Sequence, residues 1–125
     1  MLNAKKETEL LEALQKAEQA QDGFAIDKAV NLLALFYVVT EQFSAAVPFW
    51  RRGAEFLAAS TAPDSRELAT YLHNMAFYCL IPAGMRDEAY AVLTKARELY
   101  QRHFGSDDQC VKDVDELLKL DRPRA

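Results

Sequence analysis

The chain has 125 residues, half of them hydrophobic, with four glycines and four prolines. That length is one domain of ordinary size with enough apolar surface for a core. The scarcity of turn residues argues against a β-sandwich or barrel, and the abundance of Ala, Leu, Glu, Gln, Lys and Arg argues for an all-α fold. The net charge of −4 offers no broad basic face of the kind that phosphate neutralisation demands, so no nucleic-acid partner is expected. The longest apolar run, residues 32–40, falls far short of the roughly 20 residues needed to cross a bilayer. The polar start, MLNAKKETE, is unlike a secretory signal, and Cys79 and Cys110 have no metal-like spacing. A reduced, cytoplasmic setting without membrane contact is the expectation.

In chain order, Glu7 to Gln21 carries Leu10, Leu11, Ala13, Leu14, Ala17 and Ala20, a helical stripe. Asp22-Gly23 ends it, with Gly23 read as a left-handed cap. A second helix covers about Ala25 to Val39; VNLLALFYVV is apolar nearly all round, which predicts burial between neighbours. A third spans about Ser44 to Ala59, with Pro48 at or just past its first turn, where a missing N–H does least harm. Asp64 with Glu67 reads as a capping box for a fourth helix from Ser65 to about Ile81. Pro82-Ala83-Gly84 is a turn between helices, and the fifth helix runs from Arg86 to about His103 before Gly105. Ser106 with Gln109 signals a sixth helix, Asp107 to Leu120, with Val111, Val114, Leu117 and Leu118 on one face and Lys112, Asp113, Asp115, Glu116 and Lys119 on a polar back. The tail, DRPRA, is expected to fray.

The helices repeat. Ala34 and Ala76 are 42 residues apart, in NLLALFY and HNMAFYC, while Ala46 and Ala89, Trp50 and Leu93, and Gly53 and Ala96 are each 43 apart. The second copy therefore holds one extra residue, read as lying in the turn around Pro82. APDSRELA precedes the second copy, and GSDDQCVKD opens a partial third. Helix pairs at such a period signal a solenoid. Small residues would let the helices approach closely, and Trp50, Phe36, Tyr37 and Leu93 would fill the spaces between pairs. A buried Trp50 truncated to alanine would cost about 3–5 kcal/mol.

The pattern resembles the tetratricopeptide repeat, most closely the 42-residue form found in kinesin light chains. Asn31, Leu33, Ala34 and Tyr37, then Phe43, Ala46, Trp50 and Gly53, carry the resemblance in the first copy. Asn74, Met75 and Ala76, then Ala89, Leu93 and Ala96, carry it in the second, with Cys79 departing from the usual tyrosine. The resemblance implies a right-handed superhelix of about six helices. Residues 1–23 would be an N-terminal helix left from a degenerate repeat, 24–61 and 62–104 two repeats, 105–120 a capping helix and 121–125 a tail.

No catalytic motif surrounds any serine, and His73 and His103 lie 30 residues apart with no H-E-x-x-H. No Gly-rich phosphate loop is present, and no enzyme activity, cofactor or metal is expected. The resemblance implies instead a concave groove for a peptide or partner protein, lined by the first helix of each pair. By position these residues are Lys28, Asn31, Leu35 and Val38, then Thr70, His73, Asn74, Phe77 and Leu80. Asn31 and Asn74 would bond a peptide backbone, and Phe77 and Leu35 would form an apolar floor. Leu35 and Glu116 fall where a clamp for a C-terminal carboxylate would want an asparagine and a basic residue, which argues against that clamp. Arg51 and Arg52 read as a solvated outer face. Two repeats with flanking helices are near the minimum for a solenoid, so a homodimer stacked through the ends is the alternative.

Overall fold

Short polar residues and left-handed turns divide the chain into helices. The computed structural model describes residues 2–60 and 65–120, and every regular element among them is helical. Helix α1 is Leu2–Gln19, α2 Gly23–Val39, α3 Phe43–Ser60, α4 Arg66–Met75, α5 Arg86–Phe104 and α6 Gln109–Leu120; a π-helical turn, Ala76–Leu80, prolongs α4. The all-α expectation is met.

Three of the turns share one geometry. After α1, Gln21 stands at φ 54°; its N–H reaches the Glu18 carbonyl, and the Asp22 N–H reaches that of Ala17. After α2, Glu41 stands at φ 58°, with the matching bonds to Val38 and Tyr37. Before α5, Gly84 stands at φ 78°, with bonds to Ile81 and Leu80. Each pair of bonds is a Schellman motif, which satisfies carbonyls the helix leaves open. Gly23 is thus not the left-handed residue: it opens α2, whose N-cap is Asp22, accepting from the Ala25 N–H. The cap of α4 is Ser65, whose hydroxyl accepts from Leu68; Asp64 lies outside the described residues, as does the tail. At α6, Asp108 takes the role assigned to Ser106, its carboxylate accepting from the Cys110 N–H.

The chain divides into two compact units, Met1–Phe56 and Leu57–Ala125. In the first, α1 buries Leu10, Leu14 and Ala17 and packs along α2, which buries Ala29, Val30, Leu33, Ala34 and Tyr37. The Tyr37 hydroxyl donates to the Glu7 carboxylate, joining the end of α2 to the start of α1, so the two helices run antiparallel. Its ring stacks on Phe49 of α3 at 5.6 Å. Trp50 is mostly but not fully buried, with its indole nitrogen out of solvent, so its truncation should cost near the lower end of the about 3–5 kcal/mol for a fully buried ring. Helix α2 is not buried all round: Leu35 and Val39 are 55% and 71% exposed. Its apolar circumference is wider than its neighbours cover, and a stripe through Lys28, Asn31, Leu32, Leu35 and Val39 is left open.

In the second unit α4 packs on α5, and α5 on α6. Leu68, Leu72, Met75, Ala76, Cys79 and Leu80 face Leu93, Leu99 and the small residues Ala89 and Ala96, and α6 adds Val111 and Val114. The π turn settles where the extra residue of the second copy lies. The Schellman residues Glu41 and Gly84, and the carbonyls of Tyr37 and Leu80 that close them, are each 43 apart, whereas Ala34 and Ala76 are 42 apart. The insertion therefore falls between Ala76 and Leu80, within the helix, and not in the Pro82 turn. A π turn is how a helix absorbs one residue without rotating what flanks it: the Ile81 N–H bonds to Ala76, five residues back.

Candidate functional site

Residues at intervals of three and four share one side of a helix. On α4 and its π extension that rule brings together Arg66, Thr70, His73, Asn74 and Phe77. The side borders two clefts. One, of about 490 Å³, is lined by Arg66, Glu67, Thr70, Tyr71, Asn74, Tyr100, Phe104 and Cys110. The other, of about 350 Å³, is lined by His73, Asn74, Phe77, Tyr78, Asp113, Glu116 and Leu117. Asn74 lines both.

Hydrogen bonds fix the wall between them. The Tyr100 hydroxyl donates to the Thr70 hydroxyl at 3.2 Å and lies 3.4 Å from His73 Nδ1. Burial lowers the His73 pKa below its ordinary value and outweighs the opposing pull of Asp113, so the ring is neutral at pH 7. Burial likewise raises the Tyr100 hydroxyl. The Cys110 thiol is raised by burial and then by Asp108, the reverse of what activates a cysteine nucleophile. At the mouth of the larger cleft, the Arg66 guanidinium lies 5.6 Å from the centre of the Phe104 ring, a cation–π contact.

The π turn shapes the smaller cleft. Phe77 and Tyr78, neighbours in sequence, meet edge to face at 5.0 Å, and each is about half exposed, 49% and 48%. Counted at 42 residues Phe77 matches Leu35, and the extra residue lies among Phe77, Tyr78 and Cys79. π turns occur often at functional sites because they redirect side chains in this way.

Of the residues chosen from sequence, Thr70, His73, Asn74 and Phe77 lie together on this side. Leu80 does not: it is fully buried, carried into the core by the π turn. In the first unit Lys28, Asn31 and Leu35 lie along the open stripe of α2, with Val38 half-buried beside it. Sequence reasoning placed Asp113 and Glu116 on the back of α6, yet both line the smaller cleft. Their signal was available: Asp113 and Glu116 stand 43 residues after Thr70 and His73, so the same offset carries the groove positions onto the partial third copy. Tyr100 and Phe104 were missed because they come from the end of a second helix of a pair, which the repeat pattern assigns to packing.

Among the described residues, no helix is long and apolar enough to cross a membrane, and no cluster of His, Cys, Asp and Glu could hold a metal ion. A scan against protein-family models gives no match, and neither does a search of curated proteins.

Proposed function

We propose that this chain is a non-catalytic, tetratricopeptide-like interaction module that binds a peptide or partner protein along the first helices of its pairs. The observation that carries the reading is the side of α4: an insertion in an otherwise regular helix leaves Phe77 and Tyr78 half exposed beside a half-buried Asn74 that lines both clefts. Exposed aromatic surface next to amide hydrogen-bonding groups is what recognition of an extended or helical peptide uses. The α2 stripe, with Asn31 between Lys28 and Leu35, repeats that composition in the first unit. Asn74→Ala tests it. Partner capture should fall while the circular dichroism spectrum and the denaturation midpoint hold; unchanged capture removes the groove reading.

The second reading is a structural subunit that associates with itself. It draws on Phe24, Leu35 and Val39, which are 83%, 55% and 71% exposed at apolar positions of α2. Light scattering after size exclusion separates the two. A constant mass of 14.1 kDa across concentration favours the groove, and a concentration-dependent mass favours self-assembly.

A further inference from the structure

The smaller cleft has a charge as well as a shape. Its lining holds two carboxylates, Asp113 and Glu116, no lysine or arginine, and a histidine that burial keeps neutral. Asp113 accepts one hydrogen bond, from Gln109 Nε2 at 2.8 Å, and among the described residues no cation pairs with it. Among the described residues Glu116 meets only Lys119, at 3.3 Å with both side chains largely exposed, a pair that contributes little.

The larger cleft shows what chemistry suits such a place. There the chain supplies its own guanidinium, Arg66, over its own aromatic ring, Phe104. Arg52 over Phe56, at 5.9 Å, repeats the arrangement in the first unit. The Phe77–Tyr78 pair has the same aromatic surface, two adjacent carboxylates, and no cation over either ring among the described residues.

We propose that the smaller cleft receives a cationic side chain, an arginine or lysine of a partner's peptide segment, over Phe77 and Tyr78 and against Asp113 and Glu116. Asn74 then bonds the backbone of that segment. The proposal rests on the groove reading and narrows it: the partner presents a basic segment, in keeping with the net charge of −4. Arginine fits better than lysine, because its planar guanidinium stacks on rings and bonds carboxylates in pairs.

The test uses the full chain, isotopically labelled, titrated with a fluorescein-labelled Arg-Ala-Arg-Ala-Arg-Ala peptide and with its citrulline and glutamate counterparts. Citrulline keeps the size and planarity of arginine and removes the charge. The arginine peptide is expected to shift the amide resonances of His73 to Tyr78 and of Asp113 to Leu117. Its affinity should fall about tenfold on replacement by citrulline, by about 1.4 kcal/mol, and should weaken with salt. Asp113→Asn with Glu116→Gln should reproduce the loss with an unchanged spectrum elsewhere, and Phe77→Ala should weaken arginine binding further. Equal binding of arginine and citrulline peptides at these resonances overturns the cationic partner and leaves the groove reading standing. If none of the peptides moves these resonances, the cationic partner is overturned, and the groove reading is decided separately by the Asn74→Ala capture experiment. The tail itself carries Arg122 and Arg124. If Arg122→Ser with Arg124→Ser shifts the same resonances without peptide, the cation is the chain's own, and the claim for a partner falls.

Discussion

Deleting Tyr78 should leave the chain folded with its stability nearly unchanged. Tyr78 lies in the stretch, Phe77 to Cys79, that holds the extra residue of the second copy, and its removal restores the spacing that links Ala34 to Tyr37 in α2. The loss is modest, since the side chain is half exposed and gives up about 1 kcal/mol of burial. The gain is of similar size: a regular α-helix regains the i→i−4 bond that the π turn forgoes, worth about 1 kcal/mol. The net change should stay within about 1 kcal/mol. Deleting Tyr71 makes the control. It turns one part of α4 by about 100° against the rest, taking buried Leu72 and Met75, or Leu68 and Ala69, off the core, at a cost of more than about 3 kcal/mol. Urea unfolding followed by circular dichroism reads both deletions. A loss above about 3 kcal/mol on deleting Tyr78, or two equally damaging deletions, would refute the placement of the insertion in the helix.

Glu41 and Gly84 hold the same turn position, so exchanging their chemistry should act in opposite directions. Glu41→Gly should stabilise by about 0.5–1 kcal/mol by relieving a left-handed L-residue, and Gly84→Ala should destabilise by about 1 kcal/mol, with no atom within 4 Å of the new methyl to add a clash; urea midpoints check both signs. Burial, the Glu7 hydrogen bond and the Glu7 charge raise the Tyr37 hydroxyl from 10.0 to about 12. Of the five tyrosines, Tyr37 and Tyr100 should both ionise above the ordinary value in a titration near 295 nm, and Tyr37→Phe should remove the component near 12. Because the folded value is raised, this stabilisation is complete below pH 10 and is lost as pH climbs toward 12. His73 has the opposite sign: its folded pKa lies below 6.5, so the unfolded chain binds the proton first and stability falls as pH drops past that value. His73→Gln should flatten that part of the pH–stability profile.

The helices were legible because composition, spacing and small residues agreed, and the interhelical core at Ala34, Ala76, Ala89 and Ala96 followed from the repeat. Cap assignments were less legible. Asp22-Gly23 and Asp64-Ser65 each offer two adjacent residues able to end or begin a helix, and only the hydrogen bonds distinguish them. Gln21 and Glu41 carry no sign of a left-handed backbone, since the geometry comes from the pair of helices they join. The extra residue was visible as a change of offset from 42 to 43, but its place was not. Glycine and proline point to the turn, whereas a π turn has no residue signature. Half of the smaller cleft was legible through α4. The other half, Asp113 and Glu116, was hidden because charged residues on an amphipathic end helix look like its solvent face.

The central claim is that the exposed side of α4 is the contact surface. The most direct measurement places a photo-crosslinking benzoylphenylalanine at Phe77 and, in a second protein, at Lys95, which is exposed on α5 and lines neither cleft. Both are irradiated with a cell extract, and the adducts are identified by mass spectrometry. The account predicts peptides of a second protein at Phe77 and none at Lys95. Equal adducts at both positions, adducts only between copies of this chain, or no adduct at Phe77 would contradict it.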